Sequence, residues 1–517
     1  MTWIRLVVVF CVAGISYGQP PTPRAAARHL LDTATGFLPS SRTEIQVMAL
    51  MHIGTSYRVF DNTKSIDFLR RAFAATAALP EEPGKNVRSA HQSKVVQAMA
   101  DISLPAAIEL LRSMTNPAGD FENQTSAIGK VTQLLLGKGE FDRAIEIVNL
   151  VPEGADYPYR PAERIFAKLR RDDSRRLIVF GNALAAYRRK STGPFSEMLV
   201  RHWRELPAPL ANEALDALVK SLLTRPAVAN EDKATLGADG SIWVNEETAV
   251  ELASLNQVLQ GLQPKLGEEL RAKNLNLRAA VAGHPDGKLP DPAPDVAPTG
   301  GFKEDDLMVP MSLLYADSLS GRAEGFRQWD QVEAETLKIL AAISTDPQHA
   351  VSLVSSIPFA SLRADLLGRI ARSIGAKDPA ASKTLLGKCM EQIEEIKDSG
   401  DRVVPLIAVV EAAHEAMDDQ TAWESLGKAL TSVAEAYQRD GNALRPNQAL
   451  REHWPSIQLS RLLAWRTGKL FGVDAQDLLA NIHEPELELV SRIEMAGALL
   501  GEPLSVFTIS VVRAKAK

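Results

Sequence analysis

Cysteine is almost absent from this 517-residue chain, which holds only Cys11 and Cys389. Cys11 lies in an apolar leader, so the body of the chain carries one thiol and can form no intrachain disulfide; its stability must come from packing. No Cys-x2-Cys pair and no His-Glu-x-x-His run occurs, which removes the usual zinc motifs. A Gly-x-Ser-x-Gly elbow and a Gly-x4-Gly-Lys-Ser/Thr phosphate loop are missing too. Aromatic residues make up only 6% of the chain, and alternating strand-like patterns are confined to residues 241–244 and 506–512. Basic residues form no block: Arg70-Arg71, Arg170-Arg171, Arg175-Arg176 and Arg188-Arg189-Lys190 are scattered among acids. The formal net charge is −6, which argues against nucleic acid as a partner. After the leader, no stretch reaches the ~18 apolar residues that a membrane-spanning helix needs.

What is present begins at the amino terminus. Residues 1–5 carry one positive charge, Arg5, residues 6–15 are almost wholly apolar, and Ser16-Tyr17-Gly18 supplies small residues for cleavage. This is the layout of a secretory signal peptide over residues 1–18, with an expected mature start at Gln19 and an exported, periplasmic or extracellular product. Hydrophobic residues are 45% and charged residues 24% of the chain, the balance of a globular protein. Apolar residues recur at three- and four-residue spacing over most of its length, so helices are expected throughout. Ser41 with Glu44 reads as a capping box, and Asp61 opens the next helix. Asp120 is expected to open a helix that ends near Gly137 and Gly139. Asp346-Pro347 and Asp378-Pro379 each place an acid at the cap and proline at the first helical position.

Residues 283–300 differ, with five prolines and three glycines. Extended, they would reach ~55 Å at about 3.1 Å per residue, and they read as a linker. A weaker break covers residues 225–245. The expected division is a leader (1–18), an N-terminal helical-repeat domain (19–225), a connector with helices (226–282), a Pro/Gly-rich linker or long loop (283–305) and a C-terminal helical-repeat domain (306–517). Recurrences support the repeat reading: Ala107-Ile108-Glu109-Leu110-Leu111 returns as Ala144-Ile145-Glu146-Ile147-Val148, an offset of 37. Asp346-Pro347 with Leu353-Val354 returns as Asp378-Pro379 with Leu385-Leu386, an offset of 32. Residues 353–357, Leu362 and Ile370-Ala371 match residues 478–482, Leu487 and Met495-Ala496, an offset of 125. Helix pairs of this length cannot bury their own apolar faces and must stack.

Trp423-Glu424-Ser425-Leu426-Gly427-Lys428-Ala429-Leu430 is similar to the first-helix signature of tetratricopeptide repeats, with leucine in the tyrosine place. Leu50 to Tyr57 resembles the same core, followed by the small–large–small trio Ser65, Leu69 and Ala72. Glu140-Phe141-Asp142-Arg143-Ala144-Ile145 resembles the turn and second-helix start. After Trp423 the family's second-helix alanine and aromatic are missing. The resemblance implies αα-hairpins stacked as a superhelix, here in two segments, with a concave face that holds a peptide or protein partner.

No residue is singled out as catalytic, cofactor-binding or metal-binding, and no cofactor is expected. Glu411, His414, Glu415 and Asp418 share one helix face at the Glu-x-x-His spacing of di-iron bundles, but no second Glu-x-x-His exists. A solvated charged face is the expected reading. Gly237 to Ser241 is too poor in carboxylates for a calcium loop and reads as a turn. Cys389 reads as a small buried hydrophobe. His453-Trp454-Pro455 and Arg201-His202-Trp203 read as structural, and Trp203, Trp329, Trp423, Trp454 and Trp465 as core anchors. The functional expectation is a non-enzymatic exported scaffold that binds a protein or peptide. Its rival is an all-α hydrolase of cell-wall polymer or glycan, which would need two carboxylates ~5–9.5 Å apart in a cleft.

Overall fold

The computed structural model describes residues 22–79, 87–114, 122–151, 156–191, 194–224, 234–236, 242–244, 247–273, 277–278, 281–282, 329–443 and 451–504. The leader, Cys11, Asp120, the 237–241 turn, the 283–305 linker and the 506–512 tail lie outside these residues. Described structure is helical, with 22 α-helices packed largely in pairs and one two-stranded ribbon. No helix among the described residues is long and apolar enough to cross a membrane.

The chain forms two compact units: residues 42–301, and residues 1–41 together with 302–517. The first helix, α1 (Pro23–Ala34), belongs to the latter and packs on the last helix of the chain. The 42–301 unit begins with α2 (Thr43–Tyr57) and α3 (Asn62–Ala75), then α4 (Val87–Ile102) and α5 (Leu104–Arg112). Next come α6 (Glu122–Gly137), α7 (Phe141–Val148), α8 (Tyr159–Lys168), α9 (Arg175–Arg189), α10 (Phe195–His202) and α11 (Ala208–Thr224). Each even-numbered helix from α2 to α8 packs both on its following partner and on the next even-numbered helix. The offset of 37 is the distance between the starts of α5 and α7. β1 (Ala234–Leu236) pairs antiparallel with β2 (Ile242–Val244), the strand expected at 241–244. Short helices α12 (Glu247–Ser254), α13 (Asn256–Leu262) and α14 (Pro264–Lys273) follow.

In the other unit, α15 (Trp329–Thr345), α16 (Pro347–Val354), α17 (Ala360–Gly375) and α18 (Pro379–Glu395) lead to α19 (Ser399–Glu415) and α20 (Asp419–Ala443). α21 (Pro455–Phe471), a 3-10 stretch (Gly472–Asn481) and α22 (Pro485–Leu499) complete it. The starts of α16 and α17 lie 125 residues before those of the 3-10 stretch and α22, matching the sequence recurrence. α17 packs on the helix that follows it, α18, whereas α22 packs on α1 from the other end of the chain. Nothing in sequence order announces that meeting of the termini. Arg492 lies over the Phe37 ring at 5.6 Å on this contact. The helices α19, α21 and α22 are buried on nearly every side, with the buried charges Glu411, Arg461, Arg466 and Glu494 taken in as ion pairs. Gly368 of α17 makes one crossing possible, since a Cβ there would sit 2.7 Å from Ala408 Cβ of α19.

Capping follows the sequence closely. Asp61 accepts from the amides of Thr63 and Lys64, Asp346 from His349 and Asp378 from Ala381. Such caps contribute about 1 kcal/mol each. α6 ends as expected at Gly137, with Gly139 at φ +74. α2 opens at Thr43 with Arg42 in the cap position, one residue past the expected Ser41, whose hydroxyl donates to the Phe37 carbonyl closing the preceding turn. The Trp423 motif lies on α20, a single helix of 25 residues, which is why no second-helix residues follow it.

A regularity runs beneath these caps. Thr22, Asp61, Ser103, Glu140, Asp346, Asp378 and Asp418 each accept the first helical bond from the residue four places on. Those residues are Ala26, Ser65, Ala107, Ala144, Ala350, Ser382 and Ala422, all small and all buried. A small side chain one turn into the helix lets it approach the neighbouring backbone. In two hairpins the hydroxyl uses that closeness, Ser65 donating to the Gly54 carbonyl (2.6 Å) and Ser382 to that of Ala371 (2.9 Å).

Candidate functional site: a groove between α9 and α11

Successive odd-numbered helices of the 42–301 unit are joined by a line of ion pairs. Arg70 of α3 bonds Glu109 of α5 (2.7 Å), Arg112 of α5 bonds Glu146 of α7, and Asp142 of α7 bonds Arg175 of α9 (3.1 Å). Arg188 of α9 then bonds Glu213 of α11 (2.7 Å). These pairs are exposed and each adds at most about 1 kcal/mol; their contribution is to fix register. A groove of about 1050 Å³ opens beside the last pair, lined by the end of α9, the start of α11 and the segment after α7. A smaller one of about 500 Å³ lies between α3 and α5.

The larger groove has an apolar floor of Val151, Leu184, Ala186 and Leu210. Its rim carries Arg188, Arg189 and Lys190, of which Arg188 is held by Glu213 and Lys190 by Asp156 (2.9 Å). Arg189 is exposed and has no carboxylate partner among the described residues. The Tyr157 hydroxyl donates to Asn149 Oδ1 (3.3 Å), which leaves the Asn149 amide nitrogen as the donor end. Asn182, also in the lining, makes no side-chain hydrogen bond among the described residues. Burial pushes the phenols of Tyr157 and Tyr159 well above their ordinary value, against the pull of Arg189. Both therefore stay protonated donors at any physiological pH.

Behind the groove runs a column of rings in a chain otherwise poor in them. Tyr157 meets Tyr159 (5.1 Å), Tyr159 meets Phe195 (5.8 Å), and Phe195 meets both Tyr187 (5.2 Å) and Phe180 (5.5 Å). Phe180 leads to Phe166 (6.2 Å) and Phe166 to the imidazole of His202 (4.7 Å). His202 Nε2 donates to Glu163 Oε1 (2.9 Å), and Arg176, over the Phe166 face at 4.1 Å, bonds Glu205. Arg201-His202-Trp203 is thus structural at its centre, as read from sequence, although its partners Glu163, Arg176 and Glu205 carried no local signal. The bond from His202 holds the Glu163 carboxyl below its ordinary value of 4.5, and that from Arg176 does the same for Glu205.

The other sequence-derived candidates, Cys389 and the 411–418 face, lie in the other unit. Cys389 is fully buried, its thiol donating to the Ala364 carbonyl (3.0 Å), and burial pushes its acidity far from reach. Glu411 overturns the solvated-face reading. It is 7% exposed and receives Arg372 (2.8 Å) and Arg466 (3.1 Å), while His414 is half-buried and Glu415 exposed. The reason is that α19 is apolar on the faces between its charges, so the helix goes inside and draws arginines with it. Burial outweighs those arginines and pushes the Glu411 carboxyl up, as it does Glu494 beside Arg461. Trp454 and Trp465 are buried anchors, Trp203 and Trp423 are half-buried, and the Trp329 side chain lies outside the description. Among the described residues no cluster of three or more His, Cys, Asp or Glu could hold a metal ion. No protein family, curated protein or solved structure matches this chain.

These carboxyl shifts act in opposite directions on acidification, Glu163 and Glu205 one way and the buried Glu411 and Glu494 the other. Asp418, in the same unit as Glu411 but lowered by its bonds from Thr421, sides with the first pair. Glu163 and Glu205, lowered in the folded state, stabilise the 42–301 unit above the ordinary value of 4.5, and that contribution is lost as pH falls through their folded values. Glu411 and Glu494, raised in the folded state, contribute most below 4.5 and less as pH rises through their folded values. Hydrogen exchange, corrected for intrinsic rate, should show α8–α10 losing protection on acidification while α19, α21 and α22, around Glu411 and Glu494, are spared. Parallel loss in both units would contradict this.

Proposed function

We propose that this chain is an exported, non-enzymatic scaffold of stacked αα-hairpins that holds an extended segment of a protein or peptide partner in the groove between α9 and α11. The groove carries the reading. It crosses two helix pairs, offers an apolar floor beside a polar rim, and presents hydrogen-bonding groups that the fold itself leaves unused. The buried small residue after seven of the caps, the 37- and 125-residue spacings and the even-helix packing support the superhelical arrangement. Hydrolysis has less support in either groove. Among the described residues Glu213 is the one carboxylate lining the larger groove and already bonds Arg188, while Asp67 and Glu109 of the smaller face Arg71 and Arg70.

A photo-crosslinking residue at exposed Ala185, with a control at exposed Lys64 on α3, tests the proposal in the producing cell. The expected outcome is a discrete protein adduct at Ala185 alone, on a chain whose amino terminus is Gln19. A retained leader would end the export part, and equal adduct patterns at both positions would end the groove part.

A further inference from the structure

We infer that the groove between α9 and α11 selects acidic peptides, seating aspartate or glutamate side chains on Arg189 and the amides of Asn149 and Asn182. This rests on the scaffold reading and adds the chemistry of its ligand. The lining is donor-rich and acceptor-poor. Among the described residues Arg189 brings a guanidinium without a carboxylate partner, and Asn149 has its oxygen engaged by the Tyr157 hydroxyl and its NH2 left to donate. Asn182 offers a second amide without a bond, and Glu213, the single carboxylate of the lining, is occupied by Arg188, both among the described residues. The amides donate to any oxygen, but Arg189 is best satisfied by a negatively charged acceptor, because charge-assisted bonds from a guanidinium to a carboxylate are the strong kind. Of the rim cations, Arg188 and Lys190 are held by Glu213 and Asp156, so Arg189, flanked by the Asn149 and Asn182 amides, is the one left to a ligand carboxylate among the described residues. The apolar floor beside it takes aliphatic neighbours, which fits an extended strand of alternating acidic and aliphatic residues.

Fluorescence anisotropy with the full mature chain tests this, using labelled eight-residue peptides capped at both ends. The alternating Glu-Leu peptide should bind at least about tenfold tighter than Gln-Leu, and Lys-Leu should bind weakest. Added salt should weaken only the Glu-Leu complex. Arg189→Gln should remove about tenfold of that preference and Asn182→Ala a few-fold, with unchanged circular dichroism. Equal binding of Glu-Leu and Gln-Leu, or indifference to Arg189→Gln, overturns the inference. If that equal binding is abolished by Ala185→Trp, which fills the groove, the scaffold reading stands without it. A Gln-Leu peptide with a free carboxyl terminus that matches capped Glu-Leu would assign the site to a terminal carboxylate and also overturn it. Absence of binding by every peptide, with no adduct at Ala185, would remove both readings.

Discussion

Arg461→Ala is expected to destabilise the unit built from residues 1–41 and 302–517 by about 3–5 kcal/mol, the cost of stranding a buried charge. Arg461 is 1% exposed, and its Nε and Nη2 both lie 2.6 Å from Glu494 Oε1 across the α21–α22 contact. Truncation leaves Glu494 among apolar side chains with its principal counter-charge gone. Its carboxyl, already pushed up by burial, rises further, so the variant should recover stability as pH falls. Replacing both partners, Arg461→Met with Glu494→Leu, should restore most of the loss, because neither charge then needs solvation. Urea denaturation of the three chains checks this. A loss below about 1 kcal/mol for the single variant would mean that the pair is solvated and the packing of α22 misread.

Phe195→Ala should have a comparable effect on the 42–301 unit, about 3–5 kcal/mol. Phe195 is fully buried at the branch of the ring column, touching Tyr159, Phe180 and Tyr187. Removing it opens a void that stiff neighbouring rings cannot collapse to fill, whereas Phe195→Leu keeps most of the volume and should cost less than half as much. Because Tyr159 joins the column to Tyr157, the alanine variant should also loosen the Tyr157–Asn149 bond at the groove. Thermal melting and peptide binding, measured on the same variant, separate the two effects. Unchanged melting would show that the column is not the core of this unit.

Much of the local structure was legible. Asp61, Asp346 and Asp378 announce their helices because a cap is a contact between residues two or three places apart, and the strand at 242–244 betrays itself by alternation. The small residue four places after Thr22, Asp61, Ser103, Glu140, Asp346, Asp378 and Asp418 was equally visible in the sequence, yet it gains meaning only when those seven helices are compared. Glu411 was misjudged for a physical reason. Spacing along one helix shows which charges share a face but not whether that face meets water or Arg372 and Arg466, which are 39 residues before it and 55 after it. The groove was illegible for the same reason, since Asn149, Asn182 and Glu213 come from three separate segments.

By itself, then, the sequence determined that helices would form, where many begin and end, and that packing without disulfides would hold them. Those outcomes depend on periodicity, caps and composition, all read within one turn or one hairpin. Only the tertiary structure decided that α1 closes on α22, that charged α19 is buried, and that Arg189 stands beside a groove with no carboxylate partner among the described residues. Each of these depends on which distant surfaces exclude water from one another, and no local pattern encodes that choice.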